Sequence, residues 1–195
     1  MATQQTLIPT DWSADGRFLL YYSIDPQTNR DLWVLPLEGD RTPWVFLRTP
    51  FEERNGAFSP DGRFVAYQSN ESGRDEIYIR PFAGPRAAAS QVGGQWQVST
   101  AGGVYPRWRR DGRELYYLAP TGALMAAPIT VTGSTLTPGA PVALFPTRIY
   151  GGGSEAGQSR QYDVTRDGRF LINTVLDEAT APITLLMNWN PEAKK

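Results

Sequence analysis

The 195-residue sequence predicts an all-β fold, a β-propeller of four four-stranded antiparallel blades, from three observations. The first is a pattern built on Asp-Gly that occurs four times: Trp12-Ser13-Ala14-Asp15-Gly16-Arg17-Phe18, Phe58-Ser59-Pro60-Asp61-Gly62-Arg63-Phe64, Trp108-Arg109-Arg110-Asp111-Gly112-Arg113-Glu114 and Val164-Thr165-Arg166-Asp167-Gly168-Arg169-Phe170. Asp-Gly between apolar runs signals a hairpin, here read as a two-residue turn with both residues at positive φ. The second is the spacing: aspartates at 15, 61, 111 and 167 step by 46, 50 and 56 residues, the length of a strand-built propeller repeat. The third is composition, with 19 Gly and 16 Pro and no helical period, as in a turn-rich β chain.

The elements follow in order within each repeat. Strand a ends before Asp-Gly and strand b follows it. Strand c is read at 31–37, 75–82, 123–129 and 182–189, where apolar and aromatic residues dominate. Strand d is read at 44–49, 96–100 and 142–147. The chain is thus one array, 1–195, with blades at about 8–49, 55–100, 104–147 and 160–189. The fourth blade lacks an outer strand. Met1 to Gln5 closes it, or the array is part of a larger propeller, or open blade edges join copies of the chain.

Aligning the repeats on the turn aspartate compares positions within one chain. Three residues earlier stand Trp12, Phe58, Trp108 and Val164, expected in the core between blades. Two residues earlier, Ser13, Ser59 and Thr165 cap the turn, and Arg109 replaces them in the third repeat. Four residues earlier, alternation turns Asp11, Arg107 and Asp163 away from the core toward a central channel. Those three are a site for a cation or polar ligand, or a structural ion pair; no metal is specified.

Charge is balanced at 19 Lys plus Arg against 20 Asp plus Glu, so no nucleic-acid or membrane-surface footprint is expected. No apolar run reaches the ~20 residues that span a bilayer, and Met1 to Gln5 carries no signal-peptide pattern. The chain has no His and no Cys, which excludes Ser-His-Asp and Cys-His catalysis and the usual zinc sites. No cofactor is expected. The b–c loops (23–30, 69–74, 118–122, 174–181) and d–a loops (50–55, 101–105, 148–161) share one face. From these loops the candidate ligand or partner face takes Glu52, Glu53, Arg54, Arg74, Asp75, Tyr105, Arg148 and Tyr150. The longest loop holds Gly151-Gly152-Gly153, but no Lys-Ser/Thr pair follows to make a phosphate loop. Residues 83–95 and 130–141, on the other face, read as plain linkers.

Ser59-Pro60-Asp61-Gly62-Arg63-Phe64, with Ser69-Asn70-Glu71-Ser72-Gly73-Arg74-Asp75-Glu76-Ile77-Tyr78-Ile79-Arg80-Pro81-Phe82, resembles the WD-like repeat of TolB-type propellers. Within that group it is most similar to the C-terminal propellers of bacterial membrane-anchored serine/threonine protein kinases. Asp31-Leu32-Trp33-Val34 and the chain end Ile183-Thr184-Leu185-Leu186-Met187-Asn188-Trp189 look like the matching motifs there. The third repeat departs from the pattern, with Arg109-Arg110 where Ser-Pro is usual, and no kinase motif is present. The resemblance implies a periplasmic or extracytoplasmic sensor portion with no catalytic residue to carry over. The expectation is therefore a protein-interaction or ligand-sensing module that is not an enzyme. The alternatives are a glycan-active enzyme using Glu52, Glu53, Asp75 and Glu76, or an assembly element forming a larger ring.

Overall fold

Along β2 (Phe18–Asp25), Phe18, Leu20 and Tyr22 alternate with Leu19, Tyr21 and Ser23, so each set takes one face of a pleated strand. The same logic builds every sheet. The computed structural model describes residues 6–84, 94–149 and 161–174. The first sheet runs β1 (Thr6–Trp12), β2, β3 (Asn29–Pro36), β4 (Trp44–Leu47) in chain order, all antiparallel. The second repeats it with β5 (Glu53–Phe58), β6 (Phe64–Ser69), β7 (Glu76–Pro81) and β8 (Trp96–Gln97). The third has β9 (Val104–Trp108), β10 (Glu114–Leu118) and β11 (Ala123–Thr132), with both β12 (Thr135–Pro138) and β13 (Val142–Pro146) paired to β11. A fourth hairpin joins β14 (Tyr162–Val164) and β15 (Phe170–Ile172). First strands lie against one another, β1 on β5, β5 on β9 and β9 on β14. The result is an all-β, propeller-like array.

The third sheet corrects the reading of 130–141 as linker. β11 continues to Thr132, turns back as β12, and buries Leu136 in the core under the second and third sheets. Of the closing elements, Met1 to Gln5 and 182–189 lie outside the described residues.

The Asp-Gly turns also differ from expectation. Only the glycine takes positive φ (Gly16 76°, Gly62 69°, Gly112 72°, Gly168 82°), so the turn is not a two-residue hairpin loop. In the second repeat Gly62 N donates to Ser59 O at 2.9 Å and Ser59 N to Phe64 O at 2.8 Å, which closes a four-residue loop. The aspartate serves as acceptor instead. Asp61 Oδ1 takes Ser59 Oγ at 2.6 Å and Arg63 N at 3.1 Å, and Ser59 Oγ accepts Phe64 N at 2.9 Å. The first turn is built alike, and the Ser13 hydroxyl, then the Arg17 amide, hold the Asp15 carboxyl below its usual range.

Packing follows the aligned position three residues before the aspartate. Phe58 is 6 % exposed against the first sheet, and Trp108 is 7 % exposed against the second. Trp108 Nε1 also donates to Ala57 O on β5 at 3.1 Å. Trp12, expected in the core, is 59 % exposed. Its side of the first sheet is where a preceding sheet would lie, and no described residue covers it. The fourth hairpin pairs Val164 with Phe170, one residue short of Trp12–Leu19, Phe58–Val65 and Trp108–Leu115. A one-residue shift exchanges the faces of a strand. Phe170 and Ile172 accordingly pack on the third sheet, with Phe170 edge-on to Tyr116 at 4.9 Å, while Leu171 is 74 % exposed.

Truncating the same residue type at the same repeat position is thus expected to give unequal costs. Trp108→Ala should lose about 3–5 kcal/mol, and Trp12→Ala less than about 1 kcal/mol, in urea denaturation. Equal losses would place the two indoles in like surroundings and refute the packing order.

Candidate functional site

The first strands of the first three sheets, β1, β5 and β9, each carry a β-bulge at one repeat position, which bends the strand where it meets the loop face. In β5 and β9 the bulge holds a non-glycine residue at positive φ, Asn55 at 53° and Tyr105 at 57°, each six residues before the turn aspartate. Asn55 is held there by donating Nδ2 to Gln68 Oε1 at 2.9 Å. The bulge sets Arg54 beneath the loops, where it is buried.

Around Arg54 the structure assembles three of the sequence candidates. Its guanidinium donates Nη2 to Asp75 Oδ2 at 2.9 Å and to Oδ1 at 3.2 Å, and Nη1 to Glu52. Glu52 also takes Arg30 Nη1 at 2.6 Å, and its amide donates to Asn70 Oδ1 at 3.0 Å. The chain Arg30–Glu52–Arg54–Asp75 therefore ties the b–c loops of the first two sheets to the connection between them. Two cations meet two carboxylates, so the cluster is internally neutral, and a buried guanidinium is tolerable on that condition.

The remaining candidates have other places. Arg74 donates Nε to Glu76 at 2.8 Å and Nη2 to Thr100 O at 2.6 Å, closing the second sheet's d–a connection onto β7. Tyr105 sits in the core rather than on the face, and its carbonyl accepts the Tyr162 hydroxyl at 2.8 Å across to β14. Arg148 is exposed, and Tyr150 lies outside the described residues. Of the channel set, Asp11 Oδ2 accepts Phe58 N at 2.8 Å and so joins β1 to β5. Arg107 is buried with Nη1 donating to Pro106 O at 2.8 Å. Asp163 is exposed and accepts Val164 N at 2.9 Å. Among the described residues no group of three or more His, Cys, Asp or Glu could hold a metal ion.

Of two further buried carboxylates, Asp31 escapes a sequence reading based on loops, and Glu76 enters it as a candidate catalytic carboxylate and not as a structural one. Asp31 and Glu76 occupy the same position, next to the residue paired seven beyond each turn aspartate, Leu32 with Tyr22 and Ile77 with Gln68. Asp31 accepts Thr28 Oγ1 at 2.7 Å and Arg48 Nε at 2.9 Å. Glu76 accepts Gly102 N at 2.9 Å and the Ser99 hydroxyl in addition to Arg74. Both act as clamps from strand c to the chain leaving strand d. The signal for them was the repeated acidic residue before the Leu-Trp-Val and Ile-Tyr-Ile runs.

Beside this framework, on the loop face, lies a cleft of about 490 Å³ lined by Phe51, Glu71, Ser72, Tyr78, Gln95 and Gln97. Phe51 offers an exposed ring, and Tyr78 stacks on Tyr67 at 5.9 Å. Glu71 receives Gln95 Nε2, and Gln97 Nε2 donates to Ser99 O at 2.8 Å. Aromatic faces beside fixed amide and carboxylate groups suit a ligand with both polar and apolar surface.

With this geometry in view, the likeness to solved structures is informative about fold. TolB from Acinetobacter baumannii is similar with a TM-score of 0.50 and 17% identity, over 87% of this chain and 54% of that one. A puromycin-hydrolyzing peptidase of Mycobacterium tuberculosis is similar with a TM-score of 0.56 and 17% identity, over 83% of this chain and 27% of its own. A putative 6-phosphogluconolactonase from Bacteroides uniformis gives 0.53 and 15% identity, over 88% of this chain and 48% of that one. The chain is TolB-like in fold and spans about half the length of that TolB. No family model matches the chain, and no curated protein does. These findings overturn the expectation that the chain is not an enzyme. The fold it shares is carried by proteins named as a peptidase and a lactonase, and the lack of His removes imidazole chemistry alone.

One candidate titrates near neutrality. Glu53 is 1 % exposed, accepts Thr49 N at 3.3 Å and is bonded to the Thr49 hydroxyl. Burial pushes its carboxyl from the ordinary 4.5 up to about 7. Between those values the native chain holds a proton that the unfolded chain has released, so this residue's contribution to stability falls as pH rises through that window. Glu53→Gln keeps the shape without the charge. It is expected to match the unsubstituted protein near about pH 4.5 and to exceed it by about 2–3 kcal/mol near about pH 8. Urea denaturation at both pH values reads this out, and equal stabilities at the higher pH would refute it.

Proposed function

We propose that this chain is a recognition module, a TolB-like propeller array whose loop face on the first two sheets binds a small polar ligand or a short segment of a partner protein. The observation that carries the reading is the cleft between Phe51, Tyr78 and Gln97, set against loops already fixed by the Arg30–Glu52–Arg54–Asp75 chain. A preorganised face loses little entropy on binding. A sensor role attached to a kinase belongs to the same proposal and rests on the sequence resemblance. A thermal-shift screen of glycans, amino acids and short peptides tests it. Compounds that raise the Tm of the unsubstituted chain should lose their effect in Phe51→Ala/Gln97→Ala. Hits indifferent to that pair of substitutions would sink the reading.

The exposed side of the first sheet favours a second, compatible proposal, assembly with a second copy of the chain. Leu7 and Trp12 present an apolar face at one end of the array and Leu171 at the other. One copy also spans about half of the TolB chain it matches. A head-to-tail pair would bury both ends at once. Light scattering over a concentration series should give twice 21.6 kDa, with Trp12→Glu shifting the protein to monomer. A monomer at every concentration would reject it.

A further inference from the structure

The departure of the third repeat from the pattern has a chemical consequence on the face opposite the loops. In the other three repeats the arginine after Asp-Gly returns to its own turn. Arg17 lies 4.0 Å from Asp15, Arg63 3.9 Å from Asp61 and Arg169 2.8 Å from Asp167. Arg17 and Arg63 also sit over the following phenylalanine, at 5.4 Å and 5.3 Å. In the third repeat Arg109 replaces the capping serine and takes both acidic partners, Asp111 at 3.5 Å and Glu114 at 3.0 Å. Glu114 stands where the phenylalanine would be and also accepts the Tyr116 hydroxyl at 2.8 Å. Arg113 is therefore left with neither its carboxylate nor its ring. Among the described residues neither the Arg110 nor the Arg113 guanidinium has a hydrogen-bond or ion-pair partner.

Both line a cleft of about 730 Å³ between the second and third turns. Its carboxylates are already engaged: Asp61 by Ser59 and Arg63, Asp111 by Arg109 and the Arg113 amide. Its apolar wall is Phe64, Trp108, Ile129 and the partly exposed Val131. Unpaired guanidiniums at the rim of an apolar cleft match an oxyanion carried on an apolar body, because planar N–H forks suit carboxylate and phosphate oxygens.

We infer that this cleft binds a small organic anion, a carboxylate or phosphate monoester bearing an apolar ring, through Arg110 and Arg113. The site is independent of the loop-face proposal, since it uses the other side of the array. Isothermal titration of the purified chain with phenyl phosphate, benzoate and inorganic phosphate tests it. At least one of the two aromatic anions should bind about tenfold or more tighter than inorganic phosphate, through the buried ring. Arg110→Gln/Arg113→Gln should weaken that binding about tenfold or more, while Arg17→Gln, in the equivalent first turn, should leave it unchanged. Both rim arginines are exposed, so an unaltered Tm will show that the double variant is folded. No binding of either aromatic anion, or binding indifferent to the double substitution, would overturn the proposal. Inorganic phosphate binding as tightly as phenyl phosphate would overturn the ring-bearing ligand class.

Discussion

The second and third sheets each depend on the sheet before them to cover one bulky side chain of the first strand. Phe58 is covered by the first sheet and Trp108 by the second, and the Trp108 indole also reaches a backbone carbonyl of β5. Asp11 adds a bond in the same direction, from β1 to the Phe58 amide. Sheets of this kind cannot hide their apolar faces alone, so burial is a property of the stack. The last described hairpin packs on the third sheet through Val164 of its first strand and, because its register is shifted, through Phe170 and Ile172 of its second strand in place of Leu171. At the other end Trp12 has nothing over it among the described residues, which makes the first sheet the place where assembly would act.

Charge does a second job, at the loop ends of the strands. The buried carboxylates Asp31, Glu53 and Glu76 each fasten the chain leaving a d strand, and Arg54 gathers two loops into one neutral cluster. Such groups are costly to bury and strongly directional once paired, so they fix geometry more than they add stability. Glu53 differs from the others because its burial leaves it near its titration point at neutral pH. The turn face has an opposite character. Its aspartates close loops, and the third repeat alone leaves two arginines turned out beside an apolar cleft.

Much of the fold was legible in the sequence because one pattern repeats. Asp-Gly at a regular step marked the hairpins, and Phe58 and Trp108 fell where alternation put them. Three features were not legible, each for a physical reason. The turn is longer than Asp-Gly suggests because Ser and Asp side chains supply its bonds, so only glycine needs positive φ. Trp12 is exposed because the repeat pattern specifies a face and not whether a neighbour covers it. β12 was missed because Thr130 to Pro138 has the composition of a linker, with Leu136 its one buried anchor. In the candidate site, Glu52, Arg54 and Asp75 came together as one face, whereas Tyr105 went inside because its backbone bulge points it into the core. Arg30 and Asn70 were invisible as partners, since their contacts span 22 and 18 residues and follow no local spacing.

Hydrogen exchange of the tryptophan indole N–H groups, followed by NMR on the native chain, bears most directly on this stacking. Trp108 donates its indole proton to Ala57 O within the core, while Trp12 stands open to water. The Trp108 indole should exchange at least about a hundredfold more slowly than that of Trp12, because its release requires the second and third sheets to part. Equal exchange at the two positions would mean that the sheets do not cover one another in this order.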